Sequence, residues 1–188
     1  MEEVVVTGHN PEWENEYERE KGKIADALND ILAGIEHIGS TSVPGLAAKP
    51  VIDMMAGVLE LSDLTEKHVD ALRSLGYTHV DHSHFPERKF FRRGEWRAGT
   101  HHLHVYRING THWRSNLLFR NYLRSHPAAM QEYHELKVTL ISKHKQDRAA
   151  YTEAKAPFIQ SIIQLAMSEA EEAPSNAICP PRIGGANG

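Results

Sequence analysis

Two short apolar runs, Ile35 to Ile38 and Val51 to Val58, are joined by a polar loop that opens Gly39-Ser40-Thr41-Ser42. Their length and the Gly, Ser and Pro between them read as two core strands with a turn-rich connection. The second strand carries a single carboxylate, Asp53, among Val51, Ile52, Met54 and Met55. Burying an ionised carboxylate there costs roughly several kcal/mol unless a cation or hydrogen-bond donors compensate it. An isolated strand Asp more often caps a turn or pairs with an Arg. The loop beside it favours a metal–phosphate site instead.

Gly39 permits a turn with positive φ and close approach of a ligand to the backbone. Ser40, Thr41 and Ser42 offer hydroxyls and amides for an anion-binding nest, and Lys49 adds a point charge suited to phosphate. Neither generic phosphate motif is present. Five residues separate Gly39 from Gly45, with Leu46 where a Walker A lysine belongs, and no Gly-x-Gly-x-x-Gly follows a strand.

The stretch HIGSTSVPGLAAKPVID, with Trp13, Leu75-Gly76-Tyr77, Phe90-Phe91, His102-Leu103-His104-Val105, Trp113, Phe119-Arg120, Tyr133, Leu136-Lys137, Tyr151 and Lys155, resembles the GrpB-like family of the nucleotidyltransferase superfamily. The likeness spans residues 3 to 167. It implies an α+β fold: a mixed sheet flanked by helices, with a C-terminal helical half. In that superfamily the Gly-Ser turn holds a nucleotide phosphate and nearby carboxylates hold magnesium. The pattern is a hydrophobic residue, Gly-Ser, a spacer, then Asp-x-Asp or Asp-x-Glu. Ile38, Gly39, Ser40 and Asp53 meet it, whereas Met55 stands at the second carboxylate position. A thioether is no ligand for a hard cation, so two-metal phosphoryl transfer is put in doubt.

With 188 residues, 40% of them hydrophobic, the chain suits one globular domain, expected over residues 1–172 with a disordered tail at 173–188. The balance of 25 acidic to 21 basic residues speaks against a dedicated nucleic-acid binder. One cysteine, Cys179, excludes a disulfide framework and a Cys-based zinc cage. No apolar run has transmembrane length and the N-terminus lacks the basic start of a signal peptide; no membrane association and a cytoplasmic location are the expectation.

Periodicity predicts a short strand at Val4–Thr7 and an amphipathic helix capped by Asn10, with Pro11 first, running about five turns to Ile31. Asp63 with Glu66 reads as the capping pair of a second helix that Gly76 ends. Tyr77–Val80 reads as a strand, and Lys89–Arg93 with Trp96 onward as a hairpin around Gly94-Glu95 that leads into His101–Ile108. Beyond Thr111 the pattern is helical to Glu171, with Pro157 as a kink or a fresh start.

In His101-His102-Leu103-His104-Val105-Tyr106, alternation sends Leu103 and Val105 to the core and His102, His104 and Tyr106 to the other face. Two imidazoles at i, i+2 can grip one metal. Beside Asp53 they would form a site for a divalent ion, magnesium, manganese or zinc, the histidines favouring the latter two. A solvated face with two histidines is the alternative. The segment from His102 to Ile108 also resembles, poorly, the histidine-triad signature, with Tyr106 in the third His position. Arg88, Lys89, Arg92, Arg93 and Arg97 alternate with Phe90, Phe91 and Trp96; most form a solvated basic face, while Arg92 is a candidate clamp on a polyphosphate.

The reading is therefore a nucleotidyltransferase-like protein acting on a nucleotide or phosphorylated small molecule and an unknown acceptor. Asp53 is the catalytic candidate; Gly39, Ser40, Thr41, Ser42, Lys49 and Arg92 are the phosphate ligands; Asp53, His102 and His104 are the metal ligands. The alternatives are a non-catalytic nucleotide- or metabolite-binding module and a metal-dependent hydrolase built on Asp53 and the histidine pair.

Overall fold

A computed structural model describes residues 6–95, 98–144 and 147–172. Five strands form one mixed sheet in the order β1-β2-β5-β4-β3: β1 Leu32–Ile38, β2 Ile52–Val58, β3 Tyr77–Val80, β4 Lys89–Arg93 and β5 His101–Arg107. β2 and β5 run parallel, and all other neighbours are antiparallel. The helices are α1 Glu12–Ala27, α2 Glu66–Ser74, α3 Thr111–Ser125, α4 Pro127–Lys143 and α5 Arg148–Glu172. This is the mixed-sheet α+β architecture with a helical C-terminal half that the sequence implies.

One face of the sheet is buried under α1 and α2. Trp13, Tyr17 and Ile24 of α1, Leu28 just past its end and Leu72 of α2 pack on Ile52, Met54, Phe91, Leu103 and Val105. On the other face α3 covers the end of the sheet near Met55 and Tyr106 with Trp113. Gly57 makes that approach possible, because a Cβ there would lie 2.5 Å from Ile108 Cδ1 and 2.9 Å from Trp113 Cζ3. A third cluster ties Val43 and Leu46, just past the Gly-Ser loop, to Leu123 of α3, Tyr133 of α4 and Phe158 of α5. The helical half is thereby anchored on the loop it faces.

Several local expectations shift. α1 starts at Glu12 with Pro11 at its N-cap, and Asn10 Oδ1 accepts from the Glu12 amide at 3.0 Å; the helix stops at Ala27, short of Ile31. Leu28 and Ile31 instead serve the turn into β1, which begins at Leu32 rather than Ile35. α2 is capped by Thr65, whose box partner is His68; Asp63 closes a separate 3-10 turn with Glu60. Pro157 lies inside α5 without ending it. Thr7 forms an isolated bridge to Ala48, while the rest of the expected strand before Val6, Trp96 and Arg97 of the hairpin, and the tail expected to be disordered lie outside the described residues.

Candidate active site

Strand pairing sets the site. Asp53 of β2 stands opposite His102 of β5, Met55 opposite His104, and Arg92 of β4 opposite His102 from the other side. Since paired residues share a face, these side chains occupy the face away from α1.

Gly39 follows β1 with φ +71° and ψ −175°, a conformation that L residues avoid. A Cβ there would sit 2.5 Å from Asp53 Oδ2. Glycine is required both by the turn and by the carboxylate packed against it. The next three residues form a single 3-10 turn, Ser40–Ser42. Its supports come from behind. The Thr41 hydroxyl donates to Val51 O at 3.1 Å and accepts from His37 Nε2 at 3.1 Å. Arg124 of α3 donates twice to Ser42 O, at 2.8 and 2.6 Å, and Arg120, one helical turn earlier, donates to His37 O at 2.8 Å.

Asp53 Oδ1 lies 2.8 Å from His102 Nδ1. Burial pushes the Asp53 carboxyl upward, but the His102 hydrogen bond and the nearby imidazoles outweigh it, and the carboxyl is held below its ordinary value. An ionised carboxylate only accepts, so His102 Nδ1 carries the hydrogen and a neutral ring presents its Nε2 lone pair. Burial lowers the His104 imidazole to about 4.

A cavity of about 210 Å³ opens beside this pair. Ser40, Thr41, Lys49, Asp53 and His102 line one side; Lys137 of α4 and Tyr151, Thr152 and Lys155 of α5 line the other. Lys137 is 3% exposed, donates to Ala47 O at 2.6 Å and to Ser40 Oγ at 3.2 Å, and lies 4.9 Å from the Tyr133 ring centre. Burial, then the charge of Lys155, lower its ammonium to about 8. Lys155 rests 4.4 Å from the Tyr151 ring centre and is also lowered by burial, against the pull of Asp53. Among the described residues neither lysine has a carboxylate within 4.0 Å.

Of the residues singled out in the sequence, Ser40, Thr41, Lys49, Asp53 and His102 meet at this cavity. Gly39 shapes it. Ser42 turns away: its hydroxyl closes on Gly39 O at 2.6 Å and it lines a separate cavity behind the loop. Arg92 shares the face but lies beyond the cavity wall. His104 is on the expected face, its ring centre 6.5 Å from that of His102. Asp53, His102 and His104 do not bring three donor atoms within 4.8 Å of one another; Glu16, Glu20 and His101, on the opposite face, do. That trio is filled already, since Arg93 reaches Glu20 at 2.6 Å and Lys23 reaches it at 2.9 Å. Lys137, Lys155, Tyr151 and Thr152 carried no site signal in the sequence beyond their place in the resemblance, because a lysine in a helix reads as solvated.

The GrpB protein family model matches residues 3–165. The chain belongs to the GrpB family. It is similar to the glutamate-rich protein GrpB of Alkalihalophilus pseudofirmus, 30% identical over 164 residues that cover 86% of this chain and 94% of the relative. The crystal structure of the conserved protein GrpB from Enterococcus faecalis superposes with a TM-score of 0.81 at 34% identity, covering 89% of this chain and 100% of that one. The Cid1 poly(U) polymerase, solved with magnesium and 3'-dATP bound, matches with a TM-score of 0.55 at 12% identity over 79% of this chain and 49% of its own. At that identity the likeness speaks for the fold alone, which is nucleotidyltransferase-like. Among the described residues no helix is long and apolar enough to cross a membrane.

Proposed function

We propose that this GrpB-family chain binds a nucleoside triphosphate on its nucleotidyltransferase fold. The phosphates would lie between the Ser40–Thr41 turn and the lysines at 137 and 155. The observation that carries the reading is a pair of ammonium groups, Lys137 buried and Lys155 half-buried, without a carboxylate within 4.0 Å. Buried charges are normally paired, so a cavity that gathers two of them against loop hydroxyls is built for an anion supplied from outside.

A divalent ion fits only in part. Asp53 offers an ionised carboxylate and His102 a ring nitrogen, a mixed oxygen–nitrogen pair suited to manganese or zinc once the 2.8 Å bond between them is exchanged for the ion. Met55 offers nothing, being fully buried against Ile38, Tyr106 and Trp113. One ion held by Asp53 and His102 would neutralise phosphate charge and polarise the phosphorus; a second has no carboxylate at Met55 to hold it. His102, oriented by Asp53, and the lysines would fix the phosphates. Transfer of the nucleotidyl group to an acceptor is the activity such an arrangement serves. The buried Met55 favours a second reading, nucleotide binding without turnover.

A thermal-shift titration tests the binding. ATP with manganese should raise the melting temperature, following mass action, and Ser40→Ala/Thr41→Ala should remove most of the rise. An equal rise in that double variant would place the nucleotide elsewhere. Pyrophosphate release in the presence of cell extract, abolished in Asp53→Asn, separates the transferase from the binding module.

A further inference from the structure

A third cation sits on the same face, on the far side of Asp53 from the lysines. Arg88 lies in the segment between β3 and β4, half-buried, and its guanidinium stacks 4.9 Å from the Phe85 ring centre and 5.2 Å from that of Phe90. Its hydrogen-bond partners are neutral groups, two imidazoles and the Tyr106 hydroxyl. One terminal nitrogen contacts His82 Nδ1 and the other lies 3.5 Å from His104 Nδ1. Its Nε–H is buried with no partner at all. Glu87, the neighbouring carboxylate, is turned to His112 at 2.9 Å, and among the described residues no carboxylate lies within 4.0 Å of Arg88.

A guanidinium can only donate, so both Nδ1 atoms accept, and both neutral rings must carry their hydrogen on Nε2. The neighbourhood is therefore rich in donors, the guanidinium with an orphaned N–H and two imidazole N–H groups, and the Tyr106 hydroxyl is a neutral acceptor among them. Phe90 provides an apolar wall 5.3 Å from His82, 4.9 Å from His104 and 5.3 Å from His102, centre to centre. Through His104 and His102 this pocket wall continues to Asp53. Donors without an anionic acceptor, beside an aromatic surface and a candidate reaction centre, describe a seat for a negatively charged group.

We propose that Arg88 anchors the second substrate, the acceptor, and that this acceptor is a small molecule carrying a carboxylate or phosphate group. The inference rests on the nucleotide-binding reading for the word acceptor, while the anion seat itself stands on Arg88 alone. An anion on Arg88 and triphosphate on the lysines would leave Asp53 and His102 between them, where a group moves from one to the other. The arrangement also orders the events at His104. Its Nδ1 faces Arg88 and its Nε2 bears hydrogen, so His104 can join a metal only when Arg88 exchanges the ring for the acceptor.

The test is a titration of full-length protein with inorganic phosphate and, separately, benzoate, followed through the ring NMR signals of His82 and His104, with saturating ATP present so that the lysine site is filled. Both probes should shift both rings saturably. Arg88→Met should weaken the binding by about tenfold or more, as loss of a charged hydrogen-bond partner does, while Arg88→Lys should keep part of it. Lys137→Met should leave it intact. Phosphate acting alone would specify a phosphorylated acceptor, and benzoate alone a carboxylate. The proposal is overturned if neither probe moves the rings, if Arg88→Met binds as well as wild type, or if only a single-stranded RNA oligomer produces the shifts. Failure of the wild-type protein to bind ATP, with the anion shifts present, would sink the nucleotide reading and leave the anion seat standing.

Discussion

The network under α1 and the site around Asp53, on the two faces of the sheet, treat charge in opposite ways. Under α1, Glu20 is 0% exposed yet receives Arg93 at 2.6 Å, Lys23 at 2.9 Å and the Tyr77 hydroxyl at 3.1 Å. His101 joins the same network through Glu16 at 3.2 Å and Arg93 at 2.9 Å. Every charge there has a partner of opposite sign. On the other face Lys137, Lys155 and Arg88 find only hydroxyls, carbonyls and rings, and Asp53 finds a single imidazole. Farther along that face Arg120 is paired with Glu36 at 2.6 Å, so the open charges gather around Asp53 and its cavity, a part of the molecule left to ligands.

The comparison is broken most directly at Glu20. Glu20→Ala leaves Arg93 with the longer contact to Glu16 at 3.6 Å and takes the acceptor from the Tyr77 hydroxyl, and removing one member of a buried pair costs about 3–5 kcal/mol. Urea denaturation should show that loss. Asp53→Ala, by contrast, removes one hydrogen bond at a half-open site and should cost about 1 kcal/mol. Equal losses would mean that Asp53 is as structural as Glu20.

Gly39→Ala sharpens the contrast from the backbone side. The new Cβ meets Asp53 Oδ2 and the φ of +71° is retained only under strain, a cost of about 1–3 kcal/mol. Urea unfolding should show this cost, and the ATP-induced thermal shift should vanish together with it, because turn and carboxylate move as one.

Much of this face could be read from the chain. Alternation put Asp53 with Met55 and His102 with His104, because register in a half-buried strand is fixed by which residues are apolar; the pairing of β2 with β5 brings the two pairs to one face. The Gly-Ser turn was legible because only glycine tolerates that backbone. Lys137 and Lys155 were not. Helical periodicity reports which residues face a core, and a lysine on a helix looks the same whether it meets water or a cavity formed by a loop some ninety residues earlier; the Lys137–Ser40 bond spans 97 positions. Arg88 was hidden for a related reason: its basic neighbours made it one of a solvated row. Met55 was read as a vacated ligand position, and its full burial against Ile38, Tyr106 and Trp113 gives it a packing role as well.

Acid should distinguish the faces next. Burial holds the His104 imidazole at about 4, well below its ordinary value of 6.5. As pH falls through about 6.5 the unfolded chain takes up a proton that the native site refuses, so stability held above that pH drains away toward pH 4. Asp53, held below its ordinary value, adds its own loss only at lower pH still. His104→Gln should flatten the decline between pH 6.5 and 4 in thermal melts. An unchanged slope would assign it to other buried histidines, His37 and His101, which burial also lowers.

The smallest change in stability carries the clearest message. Lys137→Met exchanges a buried ammonium without a carboxylate partner for an apolar side chain of similar reach. It gives up bonds to Ala47 O and Ser40 Oγ but relieves the desolvation of a charge. Without ligand the variant should lie within about 1 kcal/mol of wild type, on the stable side, while its ATP-induced shift is largely lost. Wild-type affinity for ATP should itself weaken as pH rises past about 8, where the free Lys137 gives up its proton, and Lys137→Arg should bind without that decline because guanidinium stays charged. A Lys137→Met variant as unstable as Glu20→Ala would erase the difference between the faces. Stability kept with binding lost can arise only if the charge at position 137 serves the ligand rather than the fold.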